Sequence, residues 1–267
     1  MIPFSHVFNV GNKPEIRDLT GDFSNYRVLG NGSNIIVSGE GITEPVLRLD
    51  GDFRKITVRG NELIAGAGAL LKDVIKKSAK KGLCGLENLS GIPASVGGAV
   101  FKNAGAFGGS VSDVLKWVKF YRAGKEHRIS GKKISASYRT GPVKIPSVIS
   151  EVCFSLSKKP EEKISARVKE IIKLRTEKGF IYKNGSGCIF KNPSKIPAGK
   201  LIEACGCSHF RSGGVFVSPL HANIFVLRGD RISWHAHELM NKIRTRVYAK
   251  KGVYLEPLVE FWGVFSK

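Results

Sequence analysis

The chain has 267 residues, 42% of them apolar, which is enough to bury the core of one large domain or two ordinary ones. No apolar run could cross a bilayer, and the five scattered cysteines form no disulfide framework, so we predict a soluble, reduced, cytoplasmic protein. Its 43 Lys and Arg residues against 22 Asp and Glu give a net charge of +21, which favours polyanionic partners such as nucleic acid, anionic lipid or phosphate-bearing ligands. The basic residues are spread in pairs along the chain, so we expect most of them on a solvated surface.

Short β-branched runs separated by glycines dominate the first half of the chain, among them "NIIV", "KITV" and "ELIAGAG", and they predict strands. One helical pattern interrupts them at residues 69–82. There Leu70, Val74 and Ile75 share a face, and Gly82 ends the helix.

The second half of the chain begins with an amphipathic helix at residues 161–178, which predicts a domain boundary near residue 158. Its apolar positions follow helical spacing: Ile164, Val168, Ile171 and Ile172. Another helix is predicted at 232–252, and the chain then closes on the strand-like "VYLEPLVEFWGVF".

The segment "VLGNGSNIIV" (28–37) is a strand, a glycine-bearing turn and a second strand. Consecutive backbone N–H groups in such a turn can bind an anion, and Ser33 and Asn34 would add side-chain donors. A tight hairpin without a ligand explains the pattern equally well, because Asn-Gly is a common hairpin turn. No Rossmann site is predicted, because neither this loop nor "GAGALL" (66–71) has the third glycine of that fingerprint.

The segment "GLENLSGIPASVGGAVFKNAGAFGG" (85–109) contains many glycines among small residues, with Pro93 and Asn103. An ordinary core element does not need so many positions without a side chain, whereas a backbone wrapped around an extended ligand does. Backbone N–H groups could hold a diphosphate there. The pattern therefore favours a ligand cradle over a plain loop.

Cys188 lies among glycine, serine and asparagine in "YKNGSGCIFKNP" (182–193). It could be a buried apolar filler, a metal ligand or a proton donor. A metal site is disfavoured because no second cysteine follows at C-x-x-C spacing, and the group of Cys205, Cys207 and His209 is only a weak alternative. We therefore predict no metal.

These segments resemble those of the UDP-N-acetylenolpyruvoylglucosamine reductase family. Together with "SYR" (137–139), "GCIFKNPSKIPAGKLIEACG" (187–206) and "VSPLHANIFV" (217–226), they follow the family's order, and the likeness runs from about residue 6 to 263. The short spacing between "YR" and "FKNP" is similar to the compact class, which lacks an extra substrate loop carrying a tyrosine.

The resemblance implies an α+β fold of the vanillyl-alcohol-oxidase or PCMH-like type that binds FAD. It implies FAD-binding subdomains at 1–55 and 56–158, then a C-terminal substrate-binding domain at 159–267 whose last strand is a candidate to return to the flavin site. The implied contacts with non-covalent FAD are Gly30, Asn31, Gly32, Ser33, Asn34, Ile92, Pro93, Ser95, Gly97, Gly98, Asn103, Ala104 and Gly105.

The resemblance also implies three catalytic positions. Arg139 matches an arginine whose planar fork suits a carboxylate or enolate. Cys188 matches a serine that donates a proton, a role that a thiol preserves because it is the stronger acid. Leu258 replaces a glutamate, and Glu256 or Glu260 could take its place, since all three would face one way on a strand. Equally, both glutamates could pair with surface lysines.

The implied reaction is the NADPH-dependent reduction of UDP-N-acetylglucosamine enolpyruvate to UDP-N-acetylmuramate, a step of peptidoglycan synthesis. The expected protein is a monomer that binds neither nucleic acid nor membrane. Predicted substrate contacts are Tyr138, Lys191, Asn192, His221 and Asn223, although His221 and Asn223 could also be structural. The alternatives are an FAD-dependent oxidase of the same fold and, on charge alone, a nucleic-acid-binding protein.

Overall fold

A computed structural model describes residues 6–193, 196–229 and 232–265 of the chain. Its helices are α1 (Lys13–Asp22), α2 (Leu71–Lys80), α3 (Val96–Phe101), α4 (Glu161–Glu177), α5 (Ala198–Ala204) and α6 (Ile232–Lys251). The helices predicted at 69–82, 161–178 and 232–252 are thus confirmed as α2, α4 and α6. Within the described ranges, no helix combines the length and the apolar character needed to cross a membrane.

Strands and a few short 3-10 helices make up the rest of the regular structure, which confirms the predicted α+β class. They are β1 (Val7–Val10), β2 (Arg27–Leu29), β3 (Ile35–Val37), β4 (Val46–Leu49), β5 (Ile56–Arg59), β6 (Glu62–Gly66), β7 (Leu83–Cys84), β8 (Gly105–Ala106), β9 (Gly109–Ser110), β10 (Leu115–Arg122), β11 (Lys125–Ser130), β12 (Val148–Ser155), β13 (Ser157–Lys158), β14 (Gly185–Cys188), β15 (Arg211–Ser212), β16 (Val215–Val217), β17 (Ile224–Leu227) and β18 (Glu260–Trp262). The predicted "NIIV", "KITV" and "ELIAGAG" strands correspond to β3, β5 and β6.

The chain forms two compact units. The larger unit comprises residues 6–32 and 44–173 and contains two main sheets. One is parallel, with strand order β1-β4-β2, and the other is antiparallel, with order β11-β10-β12-β6-β5. The first sheet lies within residues 1–55 and the second within 56–158, so each predicted subdomain contains one sheet.

Helix α2 packs into the core of the larger unit, where Leu71, Val74 and Ile75 are buried. The helix ends as predicted, since Gly82 adopts a φ of +62° just beyond it. The predicted face differs at its start. Leu70 is the N-cap residue, with extended backbone, and Leu71 is the first helical residue that is buried in the core.

The smaller unit comprises residues 33–43 and the described part of 174–267. Its antiparallel sheet has the order β14-β17-β16-β15, and β18 pairs in parallel with β3. Helices α5 and α6 contribute to its core, with Ile202, Leu239 and Ile243 buried beside Phe225 of β17.

This division differs from the predicted boundary near 158. Strand β13 ends at Lys158, but α4 continues across the division, which falls between residues 173 and 174. Residues 33–43 belong with the C-terminal part of the chain because β3 pairs with β18. The last strand therefore does return to the early part of the chain, although it covers only Glu260–Trp262 of the longer run predicted.

Helix α4 tests the burial pattern directly. Ile164 and Ile171 are buried, with exposed fractions of 1% and 0%, whereas Ile172 is 42% exposed, so helical spacing alone does not determine which apolar residues are buried. We expect Ile171→Ala to lower the free energy of unfolding by about 2–5 kcal/mol, because it removes buried methyl groups. Ile172→Ala, the control with the same chemical change, should cost about 0.5 kcal/mol or less in the same denaturant titration. Equal losses would contradict the burial difference.

Candidate active site

The loop at residues 30–34 is not a hairpin turn. Strand β2 pairs with β4 and β3 pairs with β18, so the strands on either side of the loop do not pair with each other. In the larger unit, a Cβ on Gly30 would lie only 2.6 Å from Ser95 Oγ, and Asn31 Nδ2 donates to the Pro93 carbonyl at 2.9 Å. The hairpin alternative is therefore wrong, and the loop packs on the glycine-rich segment instead.

The backbone of this loop offers hydrogen-bond donors. The N–H groups of Asn31 and Gly32 have no backbone partner within the described residues, and both residues are exposed. Gly32 has a φ of +70°, in the left-handed region. Successive N–H groups around such a residue form a concavity that binds anions, so the geometry fits a phosphate.

The glycine-rich segment packs its backbone closely against Ala67, the residue after strand β6. Gly97 N donates to Ala67 O at 2.8 Å, and a Cβ on Gly97 would lie 2.9 Å from Ala67 Cβ. Ser95 begins α3 as its N-cap, and its Oγ accepts from Gly98 N at 3.2 Å. Ile92 is half-buried at the start of this segment.

Asn103 bonds two other loops of the larger unit through its side chain. It is 9% exposed with a φ of +43°, a conformation that asparagine tolerates better than most residues. Its Nδ2 donates to Ser137 O at 3.0 Å, and its Oδ1 accepts from Ser112 N at 3.1 Å. The side-chain amide therefore has a structural use, and the cofactor contact of Asn103 stays a prediction. Ala104 beside it is buried, and its N–H donates to Ala99 O.

Arg139 lies at the tip of a tight turn. Ser137 and Thr140 exchange backbone hydrogen bonds of 2.9 and 3.0 Å, and Arg139 between them has a φ of +58°, which is strained for a residue with a Cβ. Its Nη1 donates to the Gly105 carbonyl at 3.0 Å, while its buried Nε finds no partner within the described chain. Tyr138 is 54% exposed, with its ring 5.3 Å from the guanidinium carbon.

In the smaller unit, Asn34 links its loop to the C-terminal segment. Its Nδ2 donates to Leu258 O at 3.0 Å, and its carbonyl accepts from Glu260 N at 3.0 Å. The Ser33 carbonyl lies 3.6 Å from where a Cβ on Gly187 would stand. Three segments of this unit, around residues 33, 188 and 259, are therefore neighbours.

Cys188 is the half-buried last residue of β14. The strand's pairing with β17 shifts register between Gly185 and Cys188, which pairs with Ile224. Such irregularities re-aim side chains and are common beside active sites. Among the described residues, no group of three or more His, Cys, Asp and Glu side chains could hold a metal ion.

Asn223 holds the backbone of Phe190. It is 2% exposed, and its amide bonds Phe190 twice, accepting from the backbone N and donating to the carbonyl, both at 2.9 Å. These bonds favour the structural alternative for Asn223, and its substrate contact stays a prediction. His221 is half-buried: its Nδ1 accepts from Asn223 N at 3.2 Å and its ring lies against Phe180. Burial lowers the pKa of His221, although Glu203 partly opposes this, so the ring is neutral at pH 7.

The two polar residues after Phe190 have partners in the smaller unit. Lys191 Nζ lies 2.5 Å from Glu256 Oε1, and the Lys191 N–H donates to the Glu256 carbonyl at 2.9 Å. The Glu256 side chain is 62% exposed, which matches the surface ion pair that was one alternative for it. Asn192 Oδ1 accepts from Ala198 N at 3.0 Å and so caps the start of α5.

Glu260 lies in a different environment from Glu256. The expectation that Glu256, Leu258 and Glu260 share one strand face is wrong, because β18 begins only at Glu260. Leu258 is half-buried, and its N–H donates to Ile189 O at 2.7 Å. Glu260 is half-buried, and its Oε2 accepts from the indole N–H of Trp262 at 3.1 Å.

Comparison with known proteins decides the family. Residues 180–262 match the C-terminal domain of UDP-N-acetylenolpyruvoylglucosamine reductase, and residues 7–129 match an FAD-binding domain. The reductase of Thermus thermophilus is 37% identical over 219 residues, which cover 82% of this chain and 81% of that protein. The reductase of Clostridium beijerinckii is 38% identical over 240 residues, which cover 89% of this chain and 79% of that protein. The chain belongs to the UDP-N-acetylenolpyruvoylglucosamine reductase family. The crystal structure of the Thermus caldophilus reductase superposes with a TM-score of 0.85 at 34% identity, covering 96% of this chain and 92% of that one.

This family member is an FAD-dependent oxidoreductase of peptidoglycan precursor synthesis. The geometry of the larger unit is compatible with FAD binding. Gly30 and Gly97 lie where a Cβ would clash with a neighbouring residue. The N–H groups of Asn31 and Gly32 are available to bind a phosphate. The sequence did not identify Trp262 as the partner of Glu260, because only the fold shows that its indole turns back on that carboxylate.

Replacing Arg139 by glycine and by alanine separates backbone strain from side-chain loss. Both variants remove the guanidinium, but only alanine keeps the Cβ that disfavours a φ of +58°. We expect Arg139→Gly to be the more stable by about 1 kcal/mol in denaturant unfolding of the FAD-loaded enzyme. Tyr138 is not in the left-handed region, so Tyr138→Ala should be more stable than Tyr138→Gly. Equal stability of the Arg139 pair would refute the strain.

Proposed function

We propose that this enzyme reduces UDP-N-acetylglucosamine enolpyruvate to UDP-N-acetylmuramate, with NADPH as hydride donor and non-covalently bound FAD. Family membership supports this reaction over an oxidase or a nucleic-acid-binding protein. When bound, FAD supplies hydride chemistry by storing two electrons from NADPH and making them available to the substrate. That the protein is a cytoplasmic monomer, with no nucleic-acid partner, stays a prediction.

The observation that carries the proposal is the state of Arg139. A strained backbone and an unpartnered buried Nε both cost free energy, and folded proteins keep such features mainly at functional sites. The bond from Nη1 to Gly105 O fixes the guanidinium before any substrate arrives. A guanidinium preorganised in this way stabilises negative charge as it spreads into a carboxylate during hydride addition.

Cys188 would donate the proton that completes the reduction. Its thiol is half-buried on an irregular strand end, where the backbone is held by pairing with Ile224. A fixed, partly desolvated donor transfers a proton to carbon with little reorganisation. Tyr138, Lys191, Asn192 and His221 remain proposed substrate contacts, with His221 acting as a neutral ring.

The assisting carboxylate is better supplied by Glu260 than by Glu256. Glu256 is largely exposed and is paired with Lys191, whereas Glu260 is half-buried and oriented by the Trp262 indole. The Glu260 backbone is also bonded to Asn34, a neighbour of the segment that carries Cys188. We therefore propose Glu260 for this role.

Arg139→Lys tests the charge-stabilising role. Lysine keeps the positive charge but loses the two-pronged fork that matches a carboxylate. In stopped-flow measurements, bleaching of the flavin colour by NADPH should keep its wild-type rate, while return of the colour on adding the enolpyruvyl substrate should slow by about 10–100-fold. Two unchanged half-reactions would remove Arg139 from the mechanism.

Cys188→Ala tests the proton donor. The variant should bleach with NADPH at the wild-type rate, because that step does not need this proton. It should lose about 10²–10⁴-fold in the second half-reaction, which is the usual contribution of a general acid.

Cys188→Ser is the matched control, since a hydroxyl can also donate a proton, and it should recover much of the lost rate. A thiol-alkylating reagent should inactivate the wild type but not the serine variant. Wild-type turnover by Cys188→Ala would leave the thiol as packing only.

A further inference from the structure

A groove in the smaller unit lies outside every residue assigned to the reaction. It follows one face of α6 from Trp234 to Ala249 and has a volume of about 660 Å³. Its α6 residues recur at helical spacing, so about fifteen residues at ~1.5 Å each make the groove roughly 22 Å long. A long open groove of this kind suits an extended partner segment better than a compact ligand.

Aromatic rings line one end of the groove. Trp234 and Phe210 are half-buried there, and the His237 ring contacts those of Phe261 and Phe265, with centroids 5.1 and 5.0 Å away. Burial, helped by Arg244, lowers the pKa of His237, so this ring is neutral at pH 7. These packed rings give the groove a preformed apolar wall, which reduces the entropy lost on binding.

The other end of the groove is basic. Arg246 is exposed and makes no ion pair in the part of the chain that the structure describes. Glu238, the acidic residue among the described groove lining, is paired with Lys242 at 2.9 Å and accepts a hydrogen bond from the Ser212 hydroxyl. The groove therefore offers apolar contacts at one end and an uncompensated positive charge at the other.

Residues beside the groove have the composition of a protein interface. Tyr248 and Tyr254 are 59% and 60% exposed, and Arg244 Nη1 donates to the Tyr254 hydroxyl at 2.9 Å. Tyr, Trp and Arg are the residues enriched where most of the binding energy of an interface lies. A single nucleic-acid strand fits less well, because it carries a phosphate at every nucleotide, whereas Arg246 is an isolated uncompensated charge at one end of the groove.

We propose that this groove docks an acidic amphipathic helix of another protein. Apolar side chains of the partner, spaced at one face of its helix, would contact Trp234 and Phe210, and its carboxylates would lie over Arg246. Charge complementarity is the argument for an acidic partner, and length and apolar lining are the arguments for a helix. A second copy of this chain is a poor partner because each copy carries a net charge of +21.

Two fluorescent helical peptides of about sixteen residues, a length set by the groove, test the proposal on the FAD-loaded enzyme. They share one leucine face, and their polar positions are all Glu in one and all Lys in the other. We expect anisotropy titrations to show binding of the acidic peptide only. Trp234→Ala should weaken that binding about tenfold, while reductase activity stays at the wild-type level.

Arg246→Glu separates docking from general attraction to a basic protein. Lys76→Glu is its matched control, because it makes the same change in net charge at an exposed position of α2. Arg246→Glu should weaken binding of the acidic peptide at least tenfold more than Lys76→Glu does. Equal weakening by the two variants, equal binding of both peptides, no binding of the acidic peptide, or tighter Arg246-dependent binding of single-stranded DNA would each overturn the proposal.

Discussion

The close approach of the Gly30 backbone to Ser95 is the contact on which the candidate cofactor site depends. A Cβ at Gly30 would stand 2.6 Å from Ser95 Oγ, and the Asn31 amide fixes the approach by bonding the Pro93 carbonyl. The loop cannot relax as a hairpin, since β2 is held by β4 and β3 by β18. A side chain at Gly30 would therefore displace Ser95 Oγ, which accepts from Gly98 N as the cap of α3, and would disturb the packing beside the candidate phosphate-binding loop.

Local patterns predicted the elements well, but not their assembly. The helical spacing and Gly82 located α2, and apolar periodicity located α4 and α6. The membership of residues 33–43 in the smaller unit could not be predicted from local patterns. It rests on the pairing of β3 with β18, two short strands more than two hundred residues apart in the chain. No local propensity encodes such a partner, because what fixes it is burial in the final fold.

The site shows why residue chemistry alone does not separate ligand contacts from structural amides. Asn103 and Asn223 carry amides that could bind a ligand, yet each uses both ends on neighbouring backbone. An amide pairs equally well with a ligand or with a peptide group, so sequence cannot separate the two uses. For Arg139, the sequence motif predicted a catalytic role but did not indicate the strained turn in which the residue lies. That strain is local evidence for function that the sequence did not contain.

The two departures from the family pattern are chemically compatible. Leu258 keeps backbone bonds to Ile189 and Asn34, so the segment is held in place although it carries no carboxylate. A hydroxyl needs an assisting carboxylate more than a thiol does, because a hydroxyl is a much weaker acid. If Cys188 donates the proton as proposed, loss of the carboxylate at position 258 therefore costs less than it would beside a serine donor. The assistance that is still needed is the role proposed for Glu260.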